Sequence, residues 1–191
     1  VVQQTQMGIA VSYMDEFWSN SLTHLFVTPI RLWEFVLGGV LTGLLKCIIV
    51  VALFFATASI IYGVSIPDPV TFGAALFFLF LFGISLGMIN LALIFPHGEN
   101  AIFVVWTIPD ILVVMSGVYY PLELLPQPLY SIVQFLPSSH AFNLIKSTVG
   151  MANADWIALI GLSAVWLVGS WLILVYSYHY SKKTGKLVRV G

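Results

Sequence analysis

Gly83-Ile84-Ser85-Leu86-Gly87 has the spacing of a nucleophile elbow, in which a serine at a sharp turn attacks an acyl group. That chemistry needs a strand before the serine and a helix after it. Here the pentapeptide lies inside an unbroken apolar run, so the glycines read instead as G-x-x-x-G, a spacing that lets two helices approach closely. Gly39 and Gly43 repeat it. Ser138, Ser139 and His140 adjoin in sequence, but neighbours seldom form a catalytic pair, and no oxyanion donors can be identified beside them. His24, His97, His140 and His179 are scattered, without the spacing of a metal-ligand set. No glycine-rich phosphate loop is present, so the chain does not itself bind ATP through one. No catalytic, cofactor or metal set emerges.

The polar residues that stand out are those with oily neighbours. Lys46, Asp110 and, more weakly, Asn90 fall inside apolar runs, where a polar or ionisable group is costly and marks a pathway or a buried partner. Lys46 has the alternative of snorkelling along its stem towards an interface. Asp110 follows Pro109, which in mid-helix frees a backbone carbonyl and bends the chain. Lys46 and Asp110 each lie about nine to eleven residues from the same end of their runs, hence at similar depth by helix rise. The two are expected to pair or to share a polar contact.

Composition sets the solvent. The chain has 191 residues, 60% hydrophobic and 8% charged, with a mean hydropathy of +1.00. A soluble domain carries about 25% charged residues, so this chain cannot cover a water-facing surface and belongs in a lipid bilayer. Its seven basic residues are too few and too scattered for nucleic acid, and its single cysteine, Cys47, excludes an intrachain disulfide framework. The sequence opens on Val1 with no charged leader before the apolar runs, and reads as the C-terminal part of a longer protein.

Four runs, 35–62, 70–95, 101–120 and 156–180, each reach the roughly 20 residues that cross a bilayer as helix. None alternates with period two, which argues against a membrane barrel. Residues 1–14, interrupted by Gln3, Gln4 and Gln6, read as the end of a fifth, truncated span facing a polar cavity. Lys182, Lys183, Lys186 and Arg189 follow the last run, so the tail, 181–191, is expected to be cytoplasmic. Counting back puts Arg31 inside as well and leaves Lys146 as the one external basic residue.

Two connections are unusual. The external segment 121–155 carries Leu129, Ile132, Val133 and Leu136 on one helical face between prolines. A helix that short cannot cross, so a re-entrant or interfacial hairpin is expected. The internal segment 15–31 has no glycine before Pro29, and places Trp18, Leu22, Leu25 and Phe26 on one face with Phe17 beside it. Asp15 and Glu16 are expected near the positive end of its helix dipole, and Pro29 ends it. Its polar face lacks the Lys or Arg of a headgroup-binding helix, which favours a groove on a partner.

The stretch "PDILVVMSGVYYPLELLPQPLYSIVQFLPSSHAFNLIKS" resembles the fifth span and external hairpin of type-2 ABC transporter permeases, through Ser116, Gly117, Tyr120, Pro121, Leu125, Pro126, Leu136 and Pro137. "DEFWSNSLTHLFVTPIRLWEFVLGGVL" is similar to the family's internal segment before the third span, through Thr28, Pro29, Glu34 and the glycines that follow. The resemblance implies an all-α integral membrane protein, a polytopic bundle with four complete transmembrane helices, the end of a fifth, a cytoplasmic coupling helix and an external re-entrant hairpin. It implies a permease subunit that pairs with a second copy and binds ABC ATP-binding subunits, which hold the ATP and Mg, in the plasma membrane of a prokaryote. Asp15, Glu16, Phe17, Trp18, Leu22, Leu25, Phe26 and Pro29 would then couple to the ATPase. Lys46, Asn90 and Asp110 would be the intramembrane polar residues, and Pro121, Leu125, Pro126, Leu129 and Pro137 the external gate. An intramembrane hydrolase using Ser85 and a nucleotide-independent channel are the alternatives. Neither accounts for the internal segment and the proline hairpin together.

Overall fold

The computed structural model describes residues 1–18, 31–63, 68–118, 125–148, 150–151 and 153–184. Among these the regular structure is all helical. The helices are α1 (Val2–Trp18), α2 (Leu32–Tyr62), α3 (Pro69–His97), α4 (Ile102–Met115), α5 (Gln127–Val133), α6 (Pro137–Ser147) and α7 (Trp156–Lys183), with a 3-10 turn at Gly98–Ala101 joining α3 to α4.

Local chemistry sets the ends. The Arg31 amide donates to the Glu34 carboxylate at 2.9 Å where α2 begins, and Gly63, at φ 62°, ends it in the left-handed conformation that favours glycine. Asp68 caps α3 by accepting from the amides of Val70 at 3.1 Å and Thr71 at 3.4 Å, and Pro69 takes the first helical position, where no N–H is missed. Asp155 caps α7 through the Ala158 amide at 3.0 Å. Lys182 and Lys183 lie in the last turn of α7, at the negative end of its dipole.

Helix α3 is the centre of the bundle. Most of its apolar length is buried in the bundle, whereas most of α2 and α7 is not, so α2 and α7 are the surfaces that can face lipid. Helix α7 runs along α3 and turns Leu159, Ser163, Ser170, Leu174 and Ser177 inward. Small serines at helical spacing admit close approach where Leu on both sides would hold the axes apart. Helix α1 is wedged between α2 and α3. A methyl group at Gly8 would lie 2.6 Å from the Gly43 Cα, one at Gly39 2.8 Å from the Ile9 Cα, one at Gly83 2.7 Å from the Thr5 Cβ and one at Gly87 2.8 Å from the Ile9 Cδ1. Both G-x-x-x-G repeats are therefore packing surfaces, and they grip α1 from opposite sides. The Tyr13 ring then meets Phe95 edge-on at 5.2 Å and Phe35 at 6.1 Å.

Among the described residues three helices are long and apolar enough to cross a membrane, α2, α3 and α7. The expected span 101–120 is shorter: α4 has 14 residues, about 21 Å at 1.5 Å per residue, less than a hydrocarbon core of about 30 Å. It stops because Gly117 turns left-handed at φ 73°. Helix α1 runs unbroken across the expected boundary between 14 and 15, as far as Trp18. Asp15 and Glu16 therefore lie more than three turns after the start of α1, away from the positive end of its dipole, which withdraws the favourable placement argued for them. Leu22, Leu25, Phe26 and Pro29 lie outside the described residues, as do Pro121 and 185–191.

Two outcomes are expected. Gly8→Ala should lower the thermal midpoint of the purified protein in detergent, since overpacking costs about 1–3 kcal/mol. Gly38→Ala, with nothing within 4 Å of the added carbon, should not. The Asp68 carboxyl is held below the usual carboxylate range, first by the Thr71 hydroxyl, then by the amides of Thr71 and Val70. A depressed folded pKa makes the cap's stabilisation present above the unfolded pKa and lost as pH falls through the folded one. Carboxyl carbon NMR should show Asp68 titrating below a reference aspartate, and Thr71→Ala should move it back up.

Candidate functional site

The polar residues of α1 recur at Gln3 and Gln6, one turn apart, and both meet partners on other helices. Gln6 is fully buried, and its side-chain carbonyl accepts from the buried Asn90 amide of α3. Asn90 also donates to the Val105 main-chain carbonyl of α4 at 3.4 Å. Val105 precedes Pro109 by four residues, so its carbonyl has lost its helical N–H. Asn90 supplies the replacement. The Gln6 Nε2 is buried without a hydrogen-bond partner among the described residues. One turn along, Gln3 Nε2 donates to Asp110 Oδ1 at 3.3 Å, and both side chains are exposed.

The same device occurs a second time. Pro96 lies inside α3, and the carbonyl four residues before it, that of Ala92, accepts from the Ser177 hydroxyl of α7 at 2.5 Å. Pro96 and Pro109 are thus each answered by a donor from a neighbouring helix.

At the corner of α4, α5 and α6 the backbone is irregular and again served by side chains. Lys146 Nζ donates to the Gly117 carbonyl at 2.8 Å. The Ser116 and Ser138 hydroxyls hydrogen-bond at 2.5 Å in a buried setting. His140 Nε2 lies 2.9 Å from the Gln134 carbonyl, and Trp166 of α7 donates to the Phe135 carbonyl at 2.9 Å. Two short helices form here, with α6 packed on α3 and α7. The face expected from Leu129, Ile132, Val133 and Leu136 is divided. Val133 and Leu136 are buried, whereas Leu129 and Ile132 are exposed. Leu136 does not continue α5, because Pro137 keeps it extended (φ −89°, ψ 123°). Of the other expected gate residues, Pro137 is buried, Leu125 half-buried and Pro126 exposed.

Lys46 and Asp110 are not brought together. Lys46 is exposed on α2 and has no ion pair with Asp110, whose contact is Gln3. Ser85 is buried and donates to the Leu81 carbonyl of its own helix at 3.1 Å. His97, His140 and His179 each bind a main-chain carbonyl instead, so the described residues contain no serine–histidine pair at Ser85. Nor do they contain a group of three or more potential metal ligands.

The sequence model described as an ABC-2 family transporter protein matches residues 2–176. The chain belongs to the ABC-2 transporter family. No curated protein matches it. The matched region runs from the start of α1 into the last third of α7, so it takes in the α1 wedge, the Asn90–Val105 contact and the α4–α6 corner, and it ends one residue before Ser177. In an ABC-2 permease the buried amide pair is a structural joint of a transport component, with no catalytic role to fill. The Gln6–Asn90 contact, Ser177 and Lys146 were missed by reading residues singly. Pro96 and Pro109 were the available signal, since each announces an unpaired carbonyl.

Asn90→Leu should destabilise the permease by about 1–3 kcal/mol, the cost of leaving buried polar groups unpaired. Pro109→Ala returns an N–H to the Val105 carbonyl, so Asn90→Leu should cost less in that background. Thermal denaturation of the four proteins in one detergent gives the coupling. Simple additivity would refute the link between Asn90 and the proline.

Proposed function

We propose that this ABC-2 permease is the membrane-spanning subunit of an ATP-driven exporter, working as a dimer with separate ATP-binding subunits that carry the ATP and Mg. The observation that carries the reading is the exposed Gln3–Asp110 contact at the α1–α4 surface. A carboxylate and an amide on the outside of apolar helices are poorly placed against lipid, and well placed along a hydrated pathway closed by a second copy. Asn90 lies behind this surface as its support. Lys46, exposed on α2, is the other intramembrane ionisable group.

The remaining assignments follow from charge and sequence. Lys182 and Lys183 after the last span favour a cytoplasmic C-terminus in the plasma membrane of a prokaryote. With that orientation segment 15–31 is internal, and Asp15, Glu16, Phe17, Trp18, Leu22, Leu25, Phe26 and Pro29 are the residues we assign to coupling with the ATPase. The corner formed by α5 and α6 is then external. Pro121, Leu125, Pro126, Leu129 and Pro137 would shape a gate whose backbone is held by Lys146, His140 and Trp166.

The test is assembly with the ATP-binding subunit in proteoliposomes. Replacing Phe17, Leu22 and Phe26 together by serine should release the ATPase or uncouple its hydrolysis from transport, with membrane insertion unchanged. Normal ATPase binding and normal transport in that variant would overturn the coupling role. Transport that continues with a hydrolysis-dead ATPase would overturn the exporter reading in favour of a channel.

A further inference from the structure

The exposed side of α4 combines one negative charge with two aromatic rings that have no ring partner. Val105, Pro109 and Ser116 turn towards the bundle, whereas Phe103, Trp106 and Asp110 are exposed. Phe103 is 79% exposed and Trp106 46%, and neither ring stacks on another aromatic among the described residues. At about 100° per residue the three side chains fall within about 60° of one another around the helix, with Trp106 about 6 Å and Phe103 about 10 Å along the axis from Asp110. Asp110 forms no ion pair among the described residues. Gln3 donates to one carboxylate oxygen at 3.3 Å, which orients the group without neutralising its charge.

A carboxylate at this depth needs a counter-charge or water, and an aromatic face attracts cations held within about 6 Å of its centroid. Both features select the same chemistry. Anions are repelled by Asp110, and neutral apolar molecules gain nothing from it. We propose that Phe103, Trp106 and Asp110 of α4, with Gln3 of α1, form a binding site for an organic cation, its charged centre at the carboxylate and its apolar body on the two rings. The proposal rests on reading the α1–α4 surface as the transport pathway, and it names the cargo class. In the proposed orientation Phe103 and Trp106 lie on the cytoplasmic side of Asp110, so an exported cation meets the rings first.

The test uses the full chain in nanodiscs of neutral phosphatidylcholine, with empty discs subtracted. The probes are radiolabelled tetraphenylphosphonium and its isosteric anion, tetraphenylborate. Saturable binding of the cation and none of the anion is expected. Asp110→Asn should weaken cation binding by about tenfold or more, the scale of one charge-assisted contact, while Asp110→Glu retains it. Trp106→Ala should weaken it by about threefold to tenfold, and Trp106→Phe by less. An unchanged affinity in Asp110→Asn, or equal binding of the anion, overturns the site. Cation binding absent from the native chain but gained on Lys46→Gln also overturns it, because Asp110 is then claimed by the Lys46 of a second copy. Binding is read without nucleotide. A chain that fails here but supports ATP-driven transport remains a permease with another cargo, whereas one that binds the cation without such transport keeps the site and loses the exporter reading.

Discussion

A proline inside an apolar helix leaves the carbonyl four residues earlier without its N–H, and hydrocarbon offers no water to replace it. Helix α3 contains such a proline at Pro96 and α4 at Pro109. Ser177 answers the first by donating to Ala92, and Asn90 answers the second by donating to Val105. Each donor comes from a neighbouring helix, so satisfying the backbone of one fixes the position of another. The donors also fix register. A one-residue slide of α7 along α3 would carry the Ser177 hydroxyl about 1.5 Å along the axis and rotate it by about 100°, which breaks the contact.

Those hydrogen bonds need short distances between axes, and small residues provide them. The weight of this packing is greater than in a soluble protein, because lipid solvates a leucine as well as a protein interior does and apolar burial between helices gains little. Gly8, Gly39 and Gly43 on one side and Gly83 and Gly87 on the other let α1 lie almost backbone to backbone against α2 and α3. Only at that separation does the short Gln6 side chain reach Asn90. The α4–α6 corner obeys the same rule with longer reach. Lys146 and Trp166 extend to the carbonyls of Gly117 and Phe135, where the chain leaves α4 and turns between α5 and α6.

Much of this was legible in the sequence, and the exceptions have physical reasons. The three long helices follow from apolar length, and the two glycine repeats were read correctly as packing because no strand precedes Ser85. The end of α4 was misjudged, since Val118 and two interfacial tyrosines were read as the end of the span and hydropathy does not register the left-handed turn at Gly117. Helix α1 runs through the expected division between 14 and 15, because charge at Asp15 and Glu16 marks a change of solvent that a helix can pass through unbroken. Lys46 and Asp110 were expected to meet on the strength of equal depth. Depth fixes one coordinate, while facing is set by rotation about two axes and by which helix stands between. Helix α1 intervenes, packing on α2 and reaching α4, and its Gln3 takes the Asp110 contact.

The two amide contacts on α1 divide the labour by solvent exposure. Gln6 and Asn90 are sealed in, where a hydrogen bond is strong and an unpaired group is expensive, so that pair holds α4 by its proline to the bundle. Gln3 and Asp110 are one turn away at the surface, where the carboxylate is open on its free side. A charge there could not have been buried beside Asn90 without a counter-ion, since desolvating a lone carboxylate costs far more than one amide contact returns. Holding α4 with neutral amides leaves the only carboxylate on that helix uncommitted to structure. A group that the fold does not need is one that a passing ligand can use.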